Sequence, residues 1–123
     1  MAATILVLHY EAATRLFLTT ALADEGYRVV AADAPDAALE LTARERPALV
    51  VSGTVPAGDF GRRFAREYAR RPGPRTPVLL LTTESDRIAV AAAEGVSAVL
   101  PEPFDLDDLL ATVTRLLPPT AQP

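Results

Sequence analysis

The sequence of 123 residues contains no cysteine, which excludes disulfides, thiolate catalysis and cysteine-based metal sites. Lysine is absent too, so apart from His9 every basic side chain is an arginine. A cationic excess is missing: the formal net charge is -4, and nucleic acid rewards a basic face. No apolar run reaches membrane-spanning length, and the N-terminus lacks a basic segment backed by an apolar stretch. A cytoplasmic protein with no nucleic-acid or membrane contact is expected. Internal repeats are absent, and His9-Tyr10-Glu11 follows the first apolar run where a dinucleotide site would carry glycines.

What is present is a globular balance, with half the residues hydrophobic and 23% charged, in a chain long enough for one core. Short apolar runs alternate with helical periods, the signature of βα units around a parallel sheet. Strands are predicted at 4–8, 28–32, 48–52, 77–82 and 97–100. They are rich in Val, Leu and Ile without polar alternation, as strands covered on both faces are.

Helices are predicted at 12–24, 35–45, 60–71, 85–94 and 105–117. The first places Thr14, Phe17, Leu18, Ala21 and Leu22 on one apolar face and stops at Gly26. The second opens with Pro35 in its first turn, where no N–H is required. The third presents Phe64, Ala65 and Tyr68 inward. The fourth is short and Ala-rich, with Ile88 on its apolar edge. The fifth begins with Asp105, Asp107 and Asp108, which cap a helix start better than they would bind metal. Its apolar stripe is Leu106, Leu109, Leu110, Val113 and Leu117. A folded domain over 1–117 and a Pro-rich tail or linker start over 118–123 are expected. The implied fold is a three-layer, doubly wound α/β domain whose functional crevice lies at the carboxyl ends of the strands.

Gly26-Tyr27, Pro47, Gly61, Gly95 and Glu102-Pro103-Phe104-Asp105 carry a resemblance that spans about 4–117. On these residues the chain resembles the receiver domain of two-component response regulators. The resemblance implies a flavodoxin-like (βα)5 fold, a five-stranded parallel sheet of order 2-1-3-4-5 and a cis peptide before Pro103. It also shows what is replaced. The family's metal-holding acidic pair falls on His9 and Tyr10, with only Glu11 acidic beside them. The phospho-accepting Asp falls on Gly53, counted from Pro47 or Gly61, or on Ser52, counted from Pro56. The family's Lys falls on Glu102 and its aromatic gate on Val99, while Thr82 keeps the switch hydroxyl.

The expectation is therefore a non-catalytic pseudo-receiver with no metal and no cofactor, working as a protein-interaction module. Its partner, or a second copy, would dock on the fourth helix, fifth strand and fifth helix through Ile88, Val99, Phe104, Leu106 and Leu109, or else on the first helix. An output domain beyond residue 123 would fit the family. Two other readings stay open. One is a small-molecule sensor using the crevice around His9, Tyr10, Ser52 and Thr82. The other is an enzyme with a His9–Glu102 acid–base pair. That pairing predicts a raised His9 pKa, because a nearby carboxylate favours imidazolium.

Overall fold

The computed structural model describes residues 2–53, 60–72, 76–83 and 95–117. Five strands form one parallel sheet in the order β2-β1-β3-β4-β5: β1 (Thr4–Leu8), β2 (Arg28–Ala32), β3 (Leu49–Gly53), β4 (Val78–Thr83) and β5 (Ala98–Glu102). Between them run α1 (Ala12–Asp24), α2 (Pro35–Glu45) and α3 (Phe60–Ala69), and a C-terminal helix spans Leu106–Leu116. The fold is the flavodoxin-like arrangement that the resemblance implied. The predicted helix 85–94, with Ile88, and the tail 118–123 lie outside the described residues.

The strands alternate their side chains between two cores. Ile5, Val7, Leu49, Val51, Leu79 and Leu81 pack with Leu18 and Leu22 of α1 and with Leu109 and Val113 of the C-terminal helix. Leu6, Leu8, Val50, Val78 and Leu80 pack with Ala38 and Leu39 of α2 and with Phe64 and Ala65 of α3. Each such Leu, fully buried, contributes about 1.5–3 kcal/mol relative to exposure. These two faces hold the three layers together and fix which strand ends look toward which helix.

The helix ends follow from local chemistry. Asp105 caps the C-terminal helix, its Oδ1 accepting the Asp108 N–H at 2.8 Å. That helix gives way to extended backbone at Leu117, just before Pro118 in the sequence, where a helical conformation is disfavoured. Gly26 takes φ 96 directly after α1, a conformation in which a side chain would be strained.

Three expectations are corrected. Phe17 is not on the buried face of α1: it is 49% exposed, and Leu18 and Leu22 alone are fully buried there. Leu106, also assigned to an apolar stripe, is 43% exposed. Conversely Leu109, expected on a partner surface, is fully buried in the core and offers a partner nothing. In both helices the centre of the expected stripe is buried, Leu18 with Leu22 and Leu109 with Val113, and only the margin residues Phe17 and Leu106 turn to solvent.

β5 extends through Pro101 to Glu102, beyond the predicted 97–100. Proline has no N–H to give to a ladder, but β5 closes the sheet on one side, and an edge strand tolerates that loss.

Candidate functional site

His9 follows the last residue of β1 and prolongs that strand's pairing, its N–H donating to the Ala32 carbonyl at 3.1 Å. Its own carbonyl accepts from Arg15 Nη1 at 2.9 Å. The strand alternation puts the imidazole on the face of Ile5 and Val7. Leu8 pairs with Ser52, so the next residue of β3, Gly53, comes beside His9. A Cβ built on Gly53 would lie 2.7 Å from His9 Cδ2 and 2.9 Å from Nε2. The imidazole therefore occupies the space into which any side chain at position 53 would project.

The ring is fixed there from several sides. Only 4% of His9 is exposed. Its Nδ1 accepts the Glu11 N–H at 3.1 Å, which assigns the proton of the neutral ring to Nε2. Tyr10 stacks on it, with centroids 5.1 Å apart and planes at 18°, and is itself 41% exposed. Burial holds the His9 pKa below its ordinary value, outweighing the nearby Glu11 carboxylate, and the Arg15 charge acts in the same direction as burial. The raised pKa expected from pairing is corrected: desolvation wins.

The pairing itself is absent. No ion pair or hydrogen bond joins His9 to Glu102 among the described residues. Glu102 stands at the exposed end of β5, and its carboxyl is pushed up first by reduced hydration and then by the Glu11 charge. The two carboxylates repel across the rim. Glu11 instead accepts the Thr14 hydroxyl within the first turn of α1. The Glu102–Pro103 peptide is cis, as the resemblance implied.

Ser52 and Thr82 also differ from the crevice expected of them. Ser52 is fully buried and its hydroxyl donates to the Gly53 carbonyl at 3.0 Å, so it is neither exposed nor activated. Thr82 is 1% exposed, and its Oγ1 has no hydrogen-bond partner among the described residues. The strand alternation sets it on the face of Leu80, away from His9. The depression at this end of the sheet, about 380 Å³, is instead lined by His9, Tyr10, Glu11, Phe17, Glu102 and Phe104, among others. Among the described residues no three His, Asp or Glu side chains converge as metal ligands would.

Val99, at the place of the family's gate, is half-buried against the α2–α3 core, and Phe104 is half-buried against the other. The residue that sequence reasoning missed is Phe17, which the structure adds to the rim. The available signal was the run Leu16-Phe17-Leu18: three consecutive residues span about 200° of a helix, too wide for one buried face, and Leu16 at 67% and Phe17 at 49% are exposed while Leu18 is buried.

Comparison with known proteins agrees with this fold. The response regulator receiver domain matches residues 5–114, and the chain belongs to that family. It is 38% identical over 117 residues to the response regulator MprA of Mycobacterium leprae, an alignment covering 92% of this chain and half of that relative. The structure is similar to the chemotaxis response regulator CheY4 of Vibrio cholerae, with TM-score 0.80, 26% identity and coverage of 95% and 100%. It is also similar to the signal receiver domain of a signal transduction histidine kinase from Syntrophus aciditrophicus, with TM-score 0.85, 25% identity and coverage of 94% and 90%. No helix among the described residues is long and apolar enough to cross a membrane.

Proposed function

We propose that this receiver domain is closed to phosphorylation by its own His9 and works as a phosphorylation-independent interaction module. The observation that carries the reading is the imidazole seated over Gly53. An acyl phosphate needs a carboxylate, and glycine offers none. Even if one were supplied, His9 stands where its Cβ would go. Glu102, with Glu11 beside it, presents negative charge to an incoming phosphoryl group where the family has a cation. Ser52 is not an alternative acceptor, since its hydroxyl is buried and spent on a neighbouring carbonyl.

A pocket that cannot take phosphate leaves the surface as the signalling element. Tyr10, Leu16, Phe17 and Leu106 are the exposed large hydrophobic residues among those described. Tyr10 and Phe17 share the depression with Phe104. This favours docking at the α1 side of the rim, with Val99, Phe104 and Leu106 contributing from the β5 side. Because the chain spans half the length of the MprA relative, an output domain in the same polypeptide is part of the proposal.

The test is incubation with acetyl phosphate and magnesium followed by intact-mass measurement. No adduct of about 80 Da is expected. A stoichiometric, hydroxylamine-labile adduct would refute the reading.

A further inference from the structure

A second concavity lies at the opposite end of the sheet, where β3 and β4 begin. There the C-terminal ends of α2 and α3 leave a groove of about 530 Å³, within the range of small-molecule sites. Its walls include Pro47 and the ring of Tyr68, which is stacked on Phe64 at 5.6 Å and so held in place. Two lining hydroxyls are already committed: Thr42 donates to the Leu39 carbonyl at 2.6 Å and Thr76 to the Pro47 carbonyl at 3.1 Å. The charged donors that face a ligand among the described residues are the guanidinium groups of Arg46 and Arg71, with the Tyr68 hydroxyl as a neutral one.

Both arginines are exposed, and neither side chain has a hydrogen bond or ion pair among the described residues. Arg28, Arg44 and Arg63 each face a carboxylate. Among the described residues no Asp or Glu lines the groove. The helix C-termini supply part of the counter-charge, roughly half an elementary charge each. Against two guanidinium groups, that leaves the groove positive by roughly one charge. This cationic spot belongs to a chain of net charge -4. Arg46 moreover sits in the left-handed region at φ 48, ψ 60, closing α2 where a glycine would be unstrained. A side chain is kept at a position whose backbone would favour having none.

We propose that this groove binds a small organic oxyanion, a carboxylate or phosphate carried on a flat apolar ring. The ring would lie against Tyr68 and Pro47, and the guanidinium groups would hold the oxygens in the forked geometry that suits them. This site is at the other end of the sheet from His9 and does not depend on how Gly53 is read.

The experiment is an amide NMR titration of the chain with phenyl phosphate and with benzoate. Benzyl alcohol serves as the uncharged control and inorganic phosphate as the control without a ring. Saturable shifts confined to residues 42–46, 68–72 and 76 are expected with at least one ring-bearing anion, and the tighter of the two identifies the headgroup. Benzyl alcohol and inorganic phosphate should each bind roughly tenfold more weakly or worse. Arg46→Gly and Arg71→Gln should each weaken binding by a similar factor, while Arg46→Gly keeps or raises the melting temperature because glycine accepts the left-handed backbone. The proposal is overturned if neither anion saturates, if either control binds as tightly, or if Arg46→Gly leaves affinity unchanged.

Discussion

Replacing Gly53 with alanine adds one methyl group at the point where the structure has least room for it. The new Cβ would lie 2.7 and 2.9 Å from two atoms of the His9 ring, against ordinary contacts of about 3.4–4 Å. The backbone at Gly53 is not in the left-handed region, so strain there is not the issue. The ring would have to withdraw by roughly half an ångström or more. Overpacking of this kind costs about 1–3 kcal/mol. Weakening the bond from the Glu11 N–H to Nδ1 adds up to about 0.5–1.5 kcal/mol. Restricting the unfolded chain returns about 0.4–1 kcal/mol. The net expectation is a loss of ~0.5–4 kcal/mol, centred on ~2 kcal/mol, which for a domain of this size is a fall of about 8 °C in melting temperature. Urea denaturation at pH 7.5 would measure it. The decisive comparison is Gly53→Ala in a His9→Ala background, where the methyl group meets no ring and should be neutral or slightly stabilising. A coupling of about 1 kcal/mol or more between the two sites is therefore expected. If Gly53→Ala costs the same in both backgrounds, His9 does not fill the acceptor space and the proposed closure fails.

Stability should also depend on pH through His9. Its folded pKa is depressed, so the unfolded chain binds the proton more readily. The contribution is full above the unfolded value of about 6.5 and is lost as pH falls through the folded value. Denaturation curves between pH 8 and pH 5 should show this fall, and His9→Gln should flatten it. Glu102 has the opposite sign: its raised pKa gives stability present below the unfolded value of about 4.5 and lost as pH rises through the folded one. Being exposed, it contributes little, and Glu102→Gln should change the pH profile only slightly. Thr82→Val removes a buried hydroxyl that has no partner among the described residues while keeping its shape. It should stabilise the domain by about 1 kcal/mol, and a loss of that size instead would mean the hydroxyl is satisfied. Asp105→Ala deletes the cap of the C-terminal helix and should cost about 1 kcal/mol by the same denaturation assay, whereas an unchanged midpoint would deny the cap its role.

Much of the architecture was legible because it is local. Unbroken apolar runs such as Ile5–Leu8 and Val78–Leu81, too short for buried helices, read as strands covered on both faces, and Pro35, Gly26 and Asp105 mark helix ends by their own backbone and hydrogen-bonding chemistry. Composition fixed, with no structure needed, the absence of a carboxylate at either position aligned with the phospho-acceptor, and of lysine anywhere. The width of the helical stripes was less secure. Phe17 and Leu106 belong to stripes whose centres, Leu18 with Leu22 and Leu109 with Val113, are buried as expected, while these two margin residues face solvent.

The state of the site was decided by tertiary structure alone. His9 and Glu102 are far apart in sequence, and opposite charge suggested a bond between them. The register of β1 on β3 instead seats the ring over Gly53, where the loss of water outweighs the attraction of any carboxylate. Likewise nothing in the order of residues announces that Arg46 and Arg71 share a groove with no acid among its described lining residues; the crossing of α2 and α3 over the sheet brings them there. Sequence determines what each residue can do. Which groups meet, and whether water reaches them, depends on strand register and helix packing, because both charge and burial act through distances that only the folded chain defines.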